Sequence, residues 1–439
     1  MLHRIRTFAT LFLLCMAPAA DAGSKKEETP VVSFHMETDA TDNPKMITQV
    51  PIGGNQVKYF RRLSEITIKD VVAFGPFPDD LGGNTYGMAL VLKSNAKRRL
   101  AAIAQPVPTD TPPPIDLRLP TENRHLLSGE PEKFYMYVDR NFEGQHTKPW
   151  EAGSFGFVRT PIRVNEEVIL TKFHEGIDIA PIKRDTAGNP LDLVSSIADG
   201  TVVHISPLAG RSNYGKYVVV EHRWENSSVY SLYAHLSKIT VNPGDAVKSG
   251  SVLGQMGFTG DGINRERSHV HLEIAFLMSR HFDDWQKNFG GSINYQGVFN
   301  GMNLSGVPVA EFYLAHKQKP ELSFSEYVRS VPVYFKVSVP APQTGTFDFI
   351  ERYPWIVQGD AEGAVSWDIA FSATGHPIAF IPGTKPVVAP ILSSIRPSAV
   401  SHRLLTRGLV IGEGNQASLS PTGKKLVALL TDDFPKTQP

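Results

Sequence analysis

The chain has 439 residues, 44 Lys+Arg against 44 Asp+Glu, 41% apolar and 20% charged residues, and one cysteine. This length supports two or three cores, and the ordinary apolar fraction excludes a disordered chain. A formal net charge of zero lacks the basic footprint of a nucleic-acid binder, so no nucleic-acid partner is expected.

The N-terminus reads MLHRIRTFATLFLLCMAPAADAG. Arg4 and Arg6 precede a short apolar stretch from Phe8 to Ala17, and Ala20-Asp21-Ala22 offers small residues for cleavage. Residues 1–22 therefore read as a secretory signal peptide, too short for a transmembrane span. Lipidation at Cys15 is not expected, because Leu14 before it is not small. The mature chain then has no cysteine and no disulfide. No later apolar run reaches spanning length. An exported protein is expected, periplasmic or extracellular.

Residues 23–30 are polar and are expected to be disordered. Residues 31–104 read as a small α/β domain, with strands in VVSFHME and TYGMALVLK and a helix in NAKRRLAAIA. His35, Glu37, Asp39 and Asp42 read as a strand running into a polar turn rather than a metal cluster. Gln105 to Pro120, QPVPTDTPPPIDLRLP, is a proline-rich linker of extended character. Residues 121–300 form the next domain. Its short segments SFGFVRTPI, GTVVHIS, YVVVEHRW, SVYSLYAHL and SVLGQMGF, separated by turn residues, predict an antiparallel β core. DDWQKNFG, VAEFYLAHKQ and SFSEYVRS read as helices, the last two in a connector over 301–330. Residues 331–439 read as a mixed α+β accessory domain. Its final helix starts near SPTGKKLVALL, with Ser420 as N-cap and Pro421 at the first helical position.

Six of the 14 histidines fall between residues 174 and 271. In KFHEGIDIAP, His174 and Asp178 would lie ~13 Å apart along a straight strand, too far to share an ion. Gly176 between them permits a bend. In RSHVHLEIAF, His269 and His271 point to the same face of an extended chain, with Cα atoms ~7 Å apart. Spacing alone leaves open which of the two would meet a metal. His235 in SLYAHLSK ends an alternating strand. His204 and His222 read as core histidines. Glu273 shares a face with His271, either holding a ligand histidine by a hydrogen bond or standing as an exposed strand glutamate.

Together HEGID, YAHL, VNPGDAVKSGSVLGQMGFTG and HVHLE, in this order, resemble the lysostaphin/LytM-type zinc metallopeptidases. The resemblance covers about residues 150–276 and implies a mainly β, antiparallel catalytic domain holding one Zn²⁺ per chain. It implies His174, Asp178 and His271 as metal ligands and His269 and His235 as catalytic histidines; His269 is assigned as the base and His235 as the oxyanion stabiliser, with exchanged roles as the alternative. The implied substrates are peptidoglycan peptides. The chain departs from the family in Arg265, Glu266 and Arg267 before the histidine pair, in His-Val-His-Leu, and in a long link after the first motif. Arg265 and Arg267 would favour substrates with free carboxylates.

The leading expectation is a secreted zinc endopeptidase cutting peptide bonds of the bacterial wall. A non-catalytic module regulating another wall hydrolase is the alternative, with a cell-wall protein partner reached through the flanking domains. A biotinyl or lipoyl carrier is a third reading, weakened because Lys248 has no Met-Lys-Met-like setting and the histidines would go unexplained.

Overall fold

The computed structural model describes residues 12–15, 32–35, 37–38, 47–53, 56–61, 66–67, 71–78, 86–93, 115–290, 293–343 and 345–437. The chain divides into two compact units, Met1–Pro112 and Pro113–Pro439. In the first, Phe12–Cys15, within the expected signal segment, pairs antiparallel with Val32–His35. Ile47–Gly53 pairs with Gln56–Arg61, and Val71–Pro78 with Tyr86–Leu92. The expected helix in NAKRRLAAIA, residues 23–30, Asp39 and Asp42 lie outside the described residues.

The second unit is built on an antiparallel sheet in the order Ile177–Ile179, Val270–Leu277, Ser227–Ala234, Tyr217–Trp224, Gly200–Ser206, Ala246–Val247. Leu304–Gly306 pairs with the far half of Val270–Leu277. Strand residues alternate between faces. Val218, Val220, Tyr233, Leu272, Ile274 and Phe276 join the main core on one face. Val219, Leu232, Ala234, Ala275 and Leu277 join a smaller core on the other. Both faces are covered, which is why Val270–Leu277 is buried along its whole length and reads as an apolar run. Leu193–Ser195, Val252–Gln255 and Lys238–Ile239 form a second small sheet from the glycine-rich segment. Gly156–Val164 and Glu167–His174 form a hairpin beside the main sheet.

The expected helices form at Phe282–Phe289, Val309–Gln318 and Phe324–Ser330. Ser323 and Glu326 make a capping box on the third. The last helix, Pro421–Thr431, begins on the Ser420 cap, whose side chain accepts from the Gly423 N–H.

Two boundaries differ from expectation. Residues 105–114 of the expected linker lie outside the described residues, but its end is fastened to the second unit. Leu119 is buried, Tyr313 donates to the Arg118 carbonyl at 2.6 Å, and His316 meets the Ile115 carbonyl at 3.0 Å. Proline-rich spacing predicted extended backbone correctly, but not that the carbonyls would find donors on a helix far along the chain. The C-terminal region also shares the core of the β domain rather than forming one of its own. Phe276 packs on Phe349, Tyr353 and His376 with ring centroids 6.0, 4.8 and 4.9 Å away. Buried Arg352 donates to the carbonyls of Leu277 and Met278, both at 2.9 Å.

Candidate active site

The main sheet sets two registers at once. Asp178 stands opposite His271, and His271 stands opposite Ala234, the residue before His235. The strand carrying His174 ends there, and the chain bends at Glu175–Gly176 into Ile177–Ile179. Gly176 is required for room rather than for a positive φ. A Cβ there would collide with the Leu272 carbonyl and sit 2.8 Å from His271 Nε2.

Three unlike atoms converge. His174 Nε2 lies 3.1 Å from Asp178 Oδ1. His271 Nδ1 lies 3.0 Å from the same oxygen and 3.1 Å from His174 Nε2. All three residues are buried. A tetrahedral zinc site with bonds near 2.0–2.1 Å has ligand-to-ligand edges of about 3.3 Å, so this triangle fits the ion. The outer atoms agree. His174 Nδ1 meets the Ser154 carbonyl at 2.8 Å. His271 Nε2 meets Glu273 Oε1 at 3.0 Å. Arg159 binds the second carboxylate oxygen of Asp178. With each outer ring nitrogen donating, each inner nitrogen presents a lone pair to the shared point, as a metal requires.

His269 and His235 stand beside this triangle. His269 Nε2 is 3.3 Å from Asp178 Oδ1, and its Nδ1 meets the Arg267 carbonyl at 2.7 Å. His235 Nδ1 meets the Thr259 carbonyl at 2.8 Å, and the two rings are 4.8 Å apart edge to face. Both carbonyl contacts place the proton on Nδ1 and leave Nε2 as an acceptor. His235 has φ of 63°, costly for a residue with a Cβ.

Electrostatics separate the groups. Burial pushes the Asp178 carboxyl up, but the charges of His174, His269 and Arg159 outweigh it and hold it well below the usual carboxylate range. Burial lowers His174. Burial, then the neighbouring His269 and His271, holds His235 well below the usual imidazole range. Burial works against a charge on His271 too, yet its contacts with Asp178 and Glu273 raise it to about 10.

Every expected site residue therefore comes to one place, and Glu273 is fully buried against His271 rather than exposed. His222 is a satisfied core histidine, bound to the Asp199 carbonyl and Ser231 Oγ. Half-buried His204 lies against Tyr217 and Phe299, with Nε2 unpartnered among the described residues. Lys248 is an exposed partner of Asp199. Arg265 and Arg267 spend donors on the carbonyls of Ala187, Tyr137 and Gly262, holding the loop before the histidine pair. Sequence reading missed Arg159, Ser154, Thr259 and Tyr214. Only Thr259 stands in a quoted motif, at the end of VNPGDAVKSGSVLGQMGFTG, where the glycines rather than the threonine carry the pattern. Tyr214 donates to Glu273 Oε1 at 2.5 Å and reaches Glu175 Oε1 at 3.3 Å.

The histidine–aspartate cluster makes a candidate metal centre. Residues 172–283, which carry it, match the model of peptidase family M23. An 83-residue stretch is 45% identical to an uncharacterized protein of Neisseria meningitidis serogroup B, covering 19% of this chain and 12% of that one. A lipoprotein NlpD/LppB homolog of Pseudomonas aeruginosa is 34% identical over 101 residues, 23% of this chain and 29% of its own. The chain thus spans under a third of the length of either relative. The catalytic domain of the antimicrobial peptidase lysostaphin from Staphylococcus simulans aligns at 20% identity, covering 36% of this chain and 89% of that one, TM-score 0.22.

Proposed function

We propose that the protein is an exported zinc metalloendopeptidase that hydrolyses peptide bonds of bacterial peptidoglycan. The observation that carries this reading is the triangle of His174 Nε2, Asp178 Oδ1 and His271 Nδ1, with two further histidines beside it. Zinc held by these three atoms supplies a Lewis acid for the scissile carbonyl and for an attacking water. Asp178 remains anionic and offers one oxygen while Arg159 takes the other. Glu273 and Ser154 hold the ligand rings. His269, with Nδ1 held by the Arg267 carbonyl and Nε2 beside Asp178 Oδ1, accepts a proton and passes it to the leaving amine. His235 presents the same lone pair, so it donates to an oxyanion only after taking up a proton. The two roles are therefore exchangeable along the reaction.

The basic and apolar pattern of residues 1–22 supports the exported reading, periplasmic or extracellular. No helix among the described residues is long and apolar enough to cross a membrane. The test is mass analysis of muropeptides after incubation with the mature chain and with His271→Ala. Shortened or uncross-linked peptides with new amino termini are expected from the former alone. New reducing sugar ends, or no zinc-dependent product, would overturn the reading in favour of a non-catalytic wall-binding module.

A further inference from the structure

We propose that a pocket beside the metal ligands binds the carboxylate end of a short peptide, with Arg407 as the recognising residue; the peptide part rests on the peptidase reading above. The pocket has a volume of about 700 Å³ and lies between the segment bearing Phe173 and Glu175, the loop of Tyr214, and the C-terminal region. Its size is that of a small-ligand site rather than a protein interface.

Arg407 is held with φ of 56°, followed by Gly408 at 74°. The left-handed region disfavours a residue with a Cβ, and a second glycine at this turn would relieve it. Such a conformation persists where the surroundings enforce it and the side chain has a use. Thr406 enforces it. Its hydroxyl donates to the His402 carbonyl at 2.6 Å and accepts from the Val410 N–H at 3.0 Å. The turn delivers the Arg407 guanidinium 4.5 Å from the Phe173 ring centroid. A guanidinium has five donors. The hydrogen bond described for Arg407 runs from Nη1 to the Thr374 carbonyl at 3.3 Å. No carboxylate among the described residues lies within ion-pair distance of it. Glu175 faces the same pocket, and its carboxylate and the Arg407 guanidinium feel each other's charge beyond ion-pair distance.

The other lining cations are Arg211 and Lys425, so positive groups outnumber Glu175 three to one. Lys425 is already bound to the Phe289 carbonyl at 3.0 Å, and Arg211 lies over Tyr295 at 4.9 Å. Both arginines keep donors for a planar, bidentate anion, the geometry a carboxylate presents, but Arg407 is the one whose charge is felt by Glu175, next to the metal-ligand candidate His174. Trp285, Phe289, Leu409 and Leu426 wall the rest of the pocket and suit small apolar side chains. The pocket adjoins the site directly, since the Tyr214 ring lies 5.5 Å from that of His271. The C-terminal region thus takes on the carboxylate recognition expected of Arg265 and Arg267.

The experiment titrates chelator-treated mature chain, in which no hydrolysis occurs, with N-acetylated trialanine as the free acid and as the C-terminal amide. Calorimetry should give at least tenfold tighter binding of the acid. Arg407→Gly should bring the two peptides within twofold, while its melting temperature equals or exceeds that of the native chain because the strained φ is relieved. Arg407→Lys should retain part of the preference. Equal binding of acid and amide by the native chain, or a preference that survives in Arg407→Gly, overturns the proposal. Loss of binding accompanied by a lowered melting temperature in both variants shows a structural role and overturns it as well. An acid preference that persists in a chain inactive on peptidoglycan leaves the subsite standing and removes the peptidase reading instead.

Discussion

His174 and His269 are both within 3.3 Å of Asp178 Oδ1, yet their other contacts give them different duties. His174→Ala removes one corner of the metal triangle, so zinc content and turnover should fall together. His269→Ala should retain zinc, measured by plasma emission, and lose at least ~100-fold in turnover, the usual contribution of a positioned acid/base group. Equal zinc loss in the two variants would reverse the assignment of the histidine pair. Glu273 acts one bond further out, through His271 Nε2. Glu273→Ala should weaken zinc binding by about 10–100-fold in a competitive chelator titration. Its second oxygen is buried without a partner among the described residues, so truncation frees no well-used bond there and the loss should appear in metal affinity.

Among elements, the final helix offers the cleanest separation of local from global effects. Ser420 Oγ accepts the Gly423 N–H at 3.0 Å and donates to the Gly408 carbonyl. Ser420→Ala should cost about 1 kcal/mol, read as a lowered denaturation midpoint at unchanged denaturant slope. The break between the strands that carry His174 and Asp178 is less forgiving. Gly176→Ala forces a Cβ onto the Leu272 carbonyl and against His271, so the strand Ile177–Ile179 must shift. Because Asp178 is in that strand, the variant should lose zinc even where circular dichroism shows the sheet retained.

The main core of the second unit runs from the β domain into the C-terminal region, and buried histidines make the unit acid-sensitive. Burial lowers His222 to about 4 and His376 to about 3, against 6.5 for a free imidazole. The unfolded chain therefore binds these protons at a pH where the fold does not. Their contribution to stability is full above about pH 6.5 and falls as pH drops towards 4, by ~1.4 kcal/mol per pH unit for each histidine. Denaturation midpoints of chelator-treated chain across pH 7 to 4 should show this slope, and His222→Gln should flatten it. Phe276 and Arg352 tie the central strand to the C-terminal region. A chain ending at residue 330 should accordingly be far more susceptible to proteolysis than the full chain, rather than behaving as a free peptidase domain.

The sequence by itself determined the β-rich domain, the helices from residue 282 onwards with the Ser420 cap, and which histidines and aspartate come together. Alternation, turn residues and capping are local, and HEGID and HVHLE are short enough to be read as units. Asp178, His235 and His271 meet because antiparallel register carries local spacing across the sheet. Tertiary structure alone decided which nitrogen of each histidine faces inward. That depends on Ser154, Glu273, Arg267 and Thr259 as partners, and carbonyls and isolated side chains leave no pattern in a sequence. It likewise decided that the C-terminal region completes the core and turns Arg407 towards the site. Contacts across more than a hundred residues come from packing two apolar faces together, and one chain read in order does not say which face meets which.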